Sequence, residues 1–304
     1  VNYRKLKANH DFKVSEIGFG CASFWGLKLF NETKAIALVH QAIEQGVSLF
    51  DSGHSYSNGH AEIRLGRALQ GINANTELCI STKAGTRIAN NGKLFNDFSP
   101  TWIEKSAYQS LKNLQLEQLG IFHLHGPNTE DLNDDLYQKL TSLKEKGVVK
   151  YLSINVFDED IIRQAAASQI FDCVMLDYNF MSQQREKIID ELHAQGIAII
   201  AAAPLAGSLY GNRIFKIKGL RDLWYLARAI KNSSQKITQA RKYKFINQYT
   251  EFTGAQVAIA FVLNNPKICS TVFGSTNPIH LQENLQACDI ELPMDILSEI
   301  NKVK

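Results

Sequence analysis

No apolar run in this chain approaches the ~18 residues a membrane-spanning helix requires. The opening "VNYRKLKANHDFKV" also lacks the apolar core of a secretory signal. No membrane partner is expected. A formal net charge of only +3 argues against a polybasic nucleic-acid binder. Cysteine is scarce and shows no pairing pattern. Cys21, Cys79, Cys173, Cys269 and Cys288 are odd in number and form no Cys-x-x-Cys, and three sit in apolar runs ("ELCIST", "FDCVML", "KICSTVF"). They read as reduced core thiols of a cytoplasmic protein. Pro- or Ser-rich linkers and internal repeats are missing, so residues 1–304 read as a single domain. A Gly-x-Gly-x-x-Gly fingerprint is missing as well; "GFGCASFWG" has the wrong spacing and no helix start.

What the chain does have is 45% apolar residues, ample for a large core, and a regular alternation. Strands are expected at 15–21, 47–51, 78–83, 120–125, 151–155, 172–178, 196–204 and 269–274. Helical stretches lie between them, such as "NETKAIALVHQAIEQG", with Ala35, Leu38, Val39, Ala42 and Ile43 at helical spacing. Ser99 followed by Pro100 marks a capped helix start. The glycines of "GVS", "GVV" and "GIA" close helices before strands. Eight βα alternations with nearly continuous apolar strands predict an α/β fold with a parallel sheet. The count of eight favours a closed (β/α)8 TIM barrel over an open doubly wound sheet. The run "YRKLKANHDFKVS" predicts an N-terminal β-hairpin closing the bottom of that barrel.

Charge is unevenly spread. Residues 212–244 hold ten Lys/Arg against one acid, Asp222, inside a long basic loop or helical insertion (208–250) that follows the seventh strand. One reading is a solvated helix pair that buries Leu220, Leu223, Trp224 and Ala227. The other has Arg213, Lys216 and Lys218 folding over a cofactor pyrophosphate or an anionic substrate.

In such a barrel the chemistry sits where strands end. The second strand ends at Asp51, with Tyr56 in its loop; the third ends at Lys83, the fourth at His125 and the fifth at Asn155. A phenol is a poor acid near neutrality. A nearby ammonium favours the phenolate, and an aspartate beside the lysine keeps it charged. A histidine can orient a carbonyl oxygen. The set makes a proton donor aimed at a carbonyl. No side chain supplies hydride, so carbonyl reduction would need a cofactor. Phe24 and Trp25, in the loop after strand one, and His54 are candidate substrate walls. His60 is expected on the loop surface. His123 shares a strand face with His125, an arrangement also found in metal-dependent barrel hydrolases. The other strand ends lack further ligands, so no metal is expected and His123 reads as a polar residue inside the barrel.

These residues carry a resemblance. "VSEIGFGCASFWG", "FDSGHSYSNGHAEIRLGRAL", "ISTK", "IFHLHGPN" and "VFGSTNPIHLQENL" resemble, in order and separation, the motifs of the aldo-keto reductase superfamily along essentially the full length. The resemblance implies a barrel binding NAD(P)H in extended form, with Asp51, Tyr56, Lys83 and His125 as the catalytic tetrad. It implies a cofactor site at Gly20, Asp51, Asn155, Met175, Pro204, Leu205, Gly207, Gly274, Ser275, Thr276, His280, Glu283 and Asn284, with NADP(H) ahead of NAD(H). Ile154 stands where many members have Ser, Met175 where many have Gln, Ala202 where many have an aromatic, and His280 where many NADP users have Arg.

The expectation is therefore an NAD(P)(H)-dependent oxidoreductase acting on a small-molecule aldehyde or ketone. A sugar-like or anionic sugar substrate is favoured, in a monomer or small homo-oligomer. A non-catalytic nicotinamide-binding regulatory subunit and a metal-dependent hydrolase are the alternatives.

Overall fold

A computed structural model describes residues 1–6, 11–73, 76–89, 91–208, 210 and 238–303. The strands are β1 (Tyr3–Lys5), β2 (Lys13–Ser15), β3 (Ile17–Gly20), β4 (Leu49–Asp51), β5 (Cys79–Ala84), β6 (Thr86–Ile88), β7 (Leu94–Asn96), β8 (Leu119–His125), β9 (Val149–Asn155), β10 (Cys173–Asp177), β11 (Ala198–Ala202) and β12 (Ile268–Phe273). The helices are α1 (Glu32–Glu44), α2 (His60–Leu69), α3 (Pro100–Leu114), α4 (Asp134–Glu145), α5 (Glu159–Ala167), α6 (Glu186–Ala194), α7 (Gly254–Leu263), α8 (Pro278–Leu285) and α9 (Met294–Lys302).

Strands β3, β4, β5, β8, β9, β10, β11 and β12 close into a parallel barrel, each beside its neighbour in sequence. This is the expected (β/α)8 architecture. Alternation along each strand divides the core in two. Outward residues such as Phe19, Phe50, Phe122, Leu152 and Leu176 pack with the helices. Inward residues Leu49, Cys79, Ile121, Tyr151, Cys173 and Ile200 fill the barrel. Cys21, Cys79, Cys173 and Cys269 are buried free thiols, whereas Cys288 is half-buried.

The expected hairpin is β1 paired antiparallel with β2. It closes the N-terminal end by setting Leu6 and Val14 onto the inward cluster. Arg4 pins it there, donating to the carbonyls of Leu263 (2.8 Å), Asn265 (3.1 Å) and Ile268 (2.7 Å) and to Glu16 (2.5 Å). The Leu263 and Asn265 carbonyls belong to the end of α7 and the turn after it, where a guanidinium meets unpaired acceptors.

Local signals match the sequence. Ser99 accepts from the Trp102 N–H, with Pro100 in the first turn of α3. Gly46, Gly147 and Gly196 turn out of α1, α4 and α6 at positive φ. A second hairpin, β6–β7, was not legible beforehand; it follows β5 on the C-terminal side. Of the basic insertion, only Ser208, Tyr210 and residues 238–250 are described. The expectations for Arg213, Lys216, Lys218, Leu220, Leu223, Trp224 and Ala227 lie outside the described residues.

Candidate active site

Register puts the strand-end residues at one level of the barrel. Gly20 pairs with Asp51, Asp51 with Ser81, Lys83 with His123, His125 with Asn155, Asn155 with Met175, and Ala202 with Val272. Their inward side chains therefore surround a cleft of about 350 Å³. It is lined by Gly20, Ser23, Asp51, Tyr56, Lys83, His125, Asn155, Met175, Ala202, Gly274, Ser275 and Thr276, among others.

Lys83 is the electrostatic centre. Its ammonium forms an ion pair with Asp51 Oδ2 and donates to the Ser52 carbonyl at 2.8 Å. Asp51 Oδ1 accepts from Ser81 Oγ at 2.6 Å. Burial alone would push the lysine down. The Asp51 carboxylate and then the Tyr56 phenol, through charge and hydrogen bonding, instead hold it above the usual ammonium range. Lys83 Nζ lies 5.1 Å from the Tyr56 ring centre. Residue 53 is glycine, and a Cβ there would crowd the Tyr56 ring at 3.1 Å. His125 stands edge-to-face with Tyr56, ring centres 5.8 Å apart. Burial, then the Lys83 charge, pushes its imidazole down to about 4, so it is neutral at physiological pH.

The opposite wall is bare. Met175, Ala202, Ala203 and Val272 line it, with no aromatic ring among them. Ser23 and Ala203, both at the cleft, hold positive φ (55° and 56°), a strained backbone of the kind that clusters at functional sites. Asn155 donates from Nδ2 to the Met175 carbonyl at 3.1 Å, which leaves its side-chain oxygen for the cleft. Gly274 must lack a side chain, since a Cβ would lie 2.9 Å from the Gly20 carbonyl. Beyond it, Ser275 and Thr276 lead into α8, capped by Asn277. His280, Glu283 and Asn284 follow at helical spacing on one face of α8. Asn284 is buried, the other two half-buried. Pro204, Leu205 and Gly207 continue from the bare wall, Gly207 at φ 67°.

Four placements add to or differ from the sequence reading. Trp25 lines the cleft while lying buried. It is 1% exposed, its indole donates to the Ala35 carbonyl at 3.1 Å, and Arg64 caps its own carbonyl. Its neighbour Phe24 packs on Phe30, centres 5.9 Å apart, and is not among the cleft-lining residues. Ile154 belongs to the outward core, because alternation sends it away from the cleft that Asn155 faces. His54 is half-buried between Trp102, with ring centres 5.7 Å apart, and the buried Glu62, with Nδ1 3.8 Å from its carboxylate. It too is not among the cleft-lining residues. Phe157 and Val272 line the cleft and were missed. The exposed Phe157, two residues past Asn155, was the available signal.

Among the described residues no three His, Cys, Asp or Glu side chains gather to hold a metal, and no helix is long and apolar enough to cross a membrane. Comparison with known proteins supplies the lineage. The chain is 25% identical over 289 residues to "Uncharacterized oxidoreductase YqkF" of Bacillus subtilis, covering 94% of this chain and 90% of that protein. It is 25% identical over 299 residues to "Probable aldo-keto reductase 1" of Glycine max, covering 95% and 85%. The holo form of aldo-keto reductase AKR11C1 from Bacillus halodurans superposes with a TM-score of 0.82 at 23% identity, covering 99% of this chain and 95% of that one. The Aldo/keto reductase family model matches residues 16–304. With its barrel and its match to the family model, the chain belongs to the aldo/keto reductase family of oxidoreductases.

Proposed function

We propose that the protein interconverts an aldehyde or ketone and its alcohol, with a nicotinamide nucleotide as redox partner and Tyr56 exchanging the proton. The observation that carries this reading is the buried Lys83 ammonium, held by Asp51 on one side and 5.1 Å from the Tyr56 ring centre on the other.

The residues fit the nucleotide. The cleft has room for a nicotinamide ring between the tetrad and the small residues of the bare wall. The free oxygen of Asn155 is suited to accept from a carboxamide. The turn at Gly274–Thr276, entering the positive end of α8, suits an anionic phosphate. NADP(H) is taken ahead of NAD(H), with His280 standing where many NADP users have Arg and Glu283 and Asn284 toward the adenine. A bound dihydronicotinamide would supply the hydride. The chain's own residues manage the proton. Tyr56 gives its hydroxyl hydrogen to the carbonyl oxygen. Lys83 stabilises the phenolate left behind, and Asp51 keeps Lys83 charged and in place. Neutral His125 positions the oxygen without competing as an acid. The polar half of the cleft, with Ser23 and Phe157 at its rim, favours a small sugar-like substrate.

The test is reduction of an aldehyde panel with NADPH and NADH carrying deuterium at both C4 positions. Label at the product carbinol carbon, with tighter binding of NADPH by tryptophan quenching, supports the assignment; unlabelled product or no turnover with any carbonyl overturns it. The bare wall at Met175 and Ala202 gives a second reading, a nicotinamide-binding regulatory subunit. Nucleotide binding without multiple turnover would identify it.

A further inference from the structure

Directly beneath the tetrad the barrel interior is polar where packing alone would make it apolar. His123 and Ser153 are 0% exposed and pair in register on β8 and β9. Both ring nitrogens of His123 and the hydroxyl of Ser153 lack a hydrogen-bond partner. Buried polar groups are seldom left unpaired, because each costs its full desolvation. Three such atoms on adjacent strands at one level call for a common explanation. His123 Nε2 lies 3.9 Å from Asp51 Oδ1, just beyond hydrogen-bond reach. Ser153 is the inward neighbour on the other side. The groups facing this ring are the Asp51 carboxylate, the Lys83 ammonium and the His125 imidazole, with Cys21 and Tyr56 grouped around that same carboxylate and ammonium.

We propose that His123 is a positioning residue for the Asp51–Lys83 pair, donating from Nε2–H to Asp51 Oδ1 and accepting at Nδ1 from the Ser153 hydroxyl. The inference rests on the proposed role of the tetrad. This one tautomer satisfies every orphaned atom at once. Burial, then the charge of Lys83, keeps the imidazole from protonating, so the ring acts as a fixed dipole rather than a titrating base. Asp51 Oδ1 then holds two donors, Ser81 and His123, while Oδ2 is left to Lys83. The carboxylate cannot rotate, and the ammonium above it stays aimed at the phenol. Ser153 is sealed under the cleft, so the Asp–His–Ser series is no nucleophile.

Two measurements test this. In 15N-histidine NMR of the intact protein, His123 should remain the neutral Nε2–H tautomer from pH 5 to 9, and its Nδ1 shift should move in Ser153→Ala. An Nδ1–H tautomer, a cation in that range, or no response to Ser153→Ala overturns the proposal, whatever the catalytic activity. In kinetics, His123→Leu should lower kcat about tenfold, the scale of one hydrogen bond to a charge, with KM and nucleotide Kd unchanged. His123→Gln keeps an N–H near the Nε2 position and should restore most of the loss. With one donor gone from Asp51, its charge weighs more on the phenol, so the alkaline limb of carbonyl reduction should move to higher pH in His123→Leu. Wild-type turnover with all three variants equal to it removes the positioning role. An inactive wild type would instead sink the proposed reductase function, and the NMR arm would still decide the hydrogen-bond chain.

Discussion

The same strands carry opposite residues to the two ends of the barrel. β4 brings Leu49 to the lower interior and Asp51 to the mouth; β5 brings Cys79 and Lys83; β8, Ile121 and His125; β9, Tyr151 and Asn155. At the lower end the hairpin adds Leu6 and Val14, and Arg4 fastens it by four hydrogen bonds. At the mouth the side chains are polar and face a cleft. The distance between the two regimes is two to four residues along a strand. Stability and chemistry are therefore separable by position, and substitutions at each end should act on different quantities.

The largest effect is expected where that separation fails. Lys83→Met removes the ammonium at the phenol and strands Asp51, so turnover should fall about 10²- to 10³-fold. Stability should drop by about 3–5 kcal/mol for an unpaired buried charge. Steady-state kinetics and urea denaturation measure the two losses. Leu6→Ala sharpens the contrast from the other end. It should cost about 2–5 kcal/mol as a buried cavity while kcat holds; a kcat that falls with stability would break the comparison. Arg4→Ala should cost about 1–3 kcal/mol, read by the urea midpoint, again with kcat intact.

The smallest effect is a pH dependence at the mouth. His125 takes its proton near 6.5 when unfolded and only near 4 when folded. Between those values the unfolded chain binds more protons, so this group's contribution to stability falls as pH falls through the window. Asp97, with Ser99 and Arg87 beside it, and Glu191, bonded to Arg163, are held below the usual carboxylate range and add acid-side losses of their own with or without His125. The measurement is therefore the difference in urea midpoint between wild type and His125→Asn from pH 7 to 4.5. The wild type should lose stability more steeply.

Much of this was readable from the residues. Strand alternation gave the barrel, Ser99–Pro100 gave the start of α3, and the strand-end residues Asp51, Lys83, His125 and Asn155 fall where βα loops begin. The outward setting of Ile154 was contained in period-two alternation: if Asn155 faces in, its neighbour faces out. The burial of Trp25 was not legible, because the Ala35 carbonyl and Arg64 that enclose it come from elsewhere in the sequence. The β6–β7 hairpin has strands of three residues and an exposed Phe95, too short a pattern to read. The orphaned nitrogens of His123 were invisible because satisfaction of a buried group is a property of neighbours from other strands.

The account stands on the Tyr56 hydroxyl as the proton carrier, and Tyr56→Phe tests it most directly. Single-turnover reduction and nucleotide titration would be measured on the same preparation. The account predicts nucleotide affinity within about twofold of wild type and carbonyl reduction slowed at least about 10²-fold; a phenylalanine enzyme that binds nucleotide and reduces the carbonyl at the wild-type rate would contradict it.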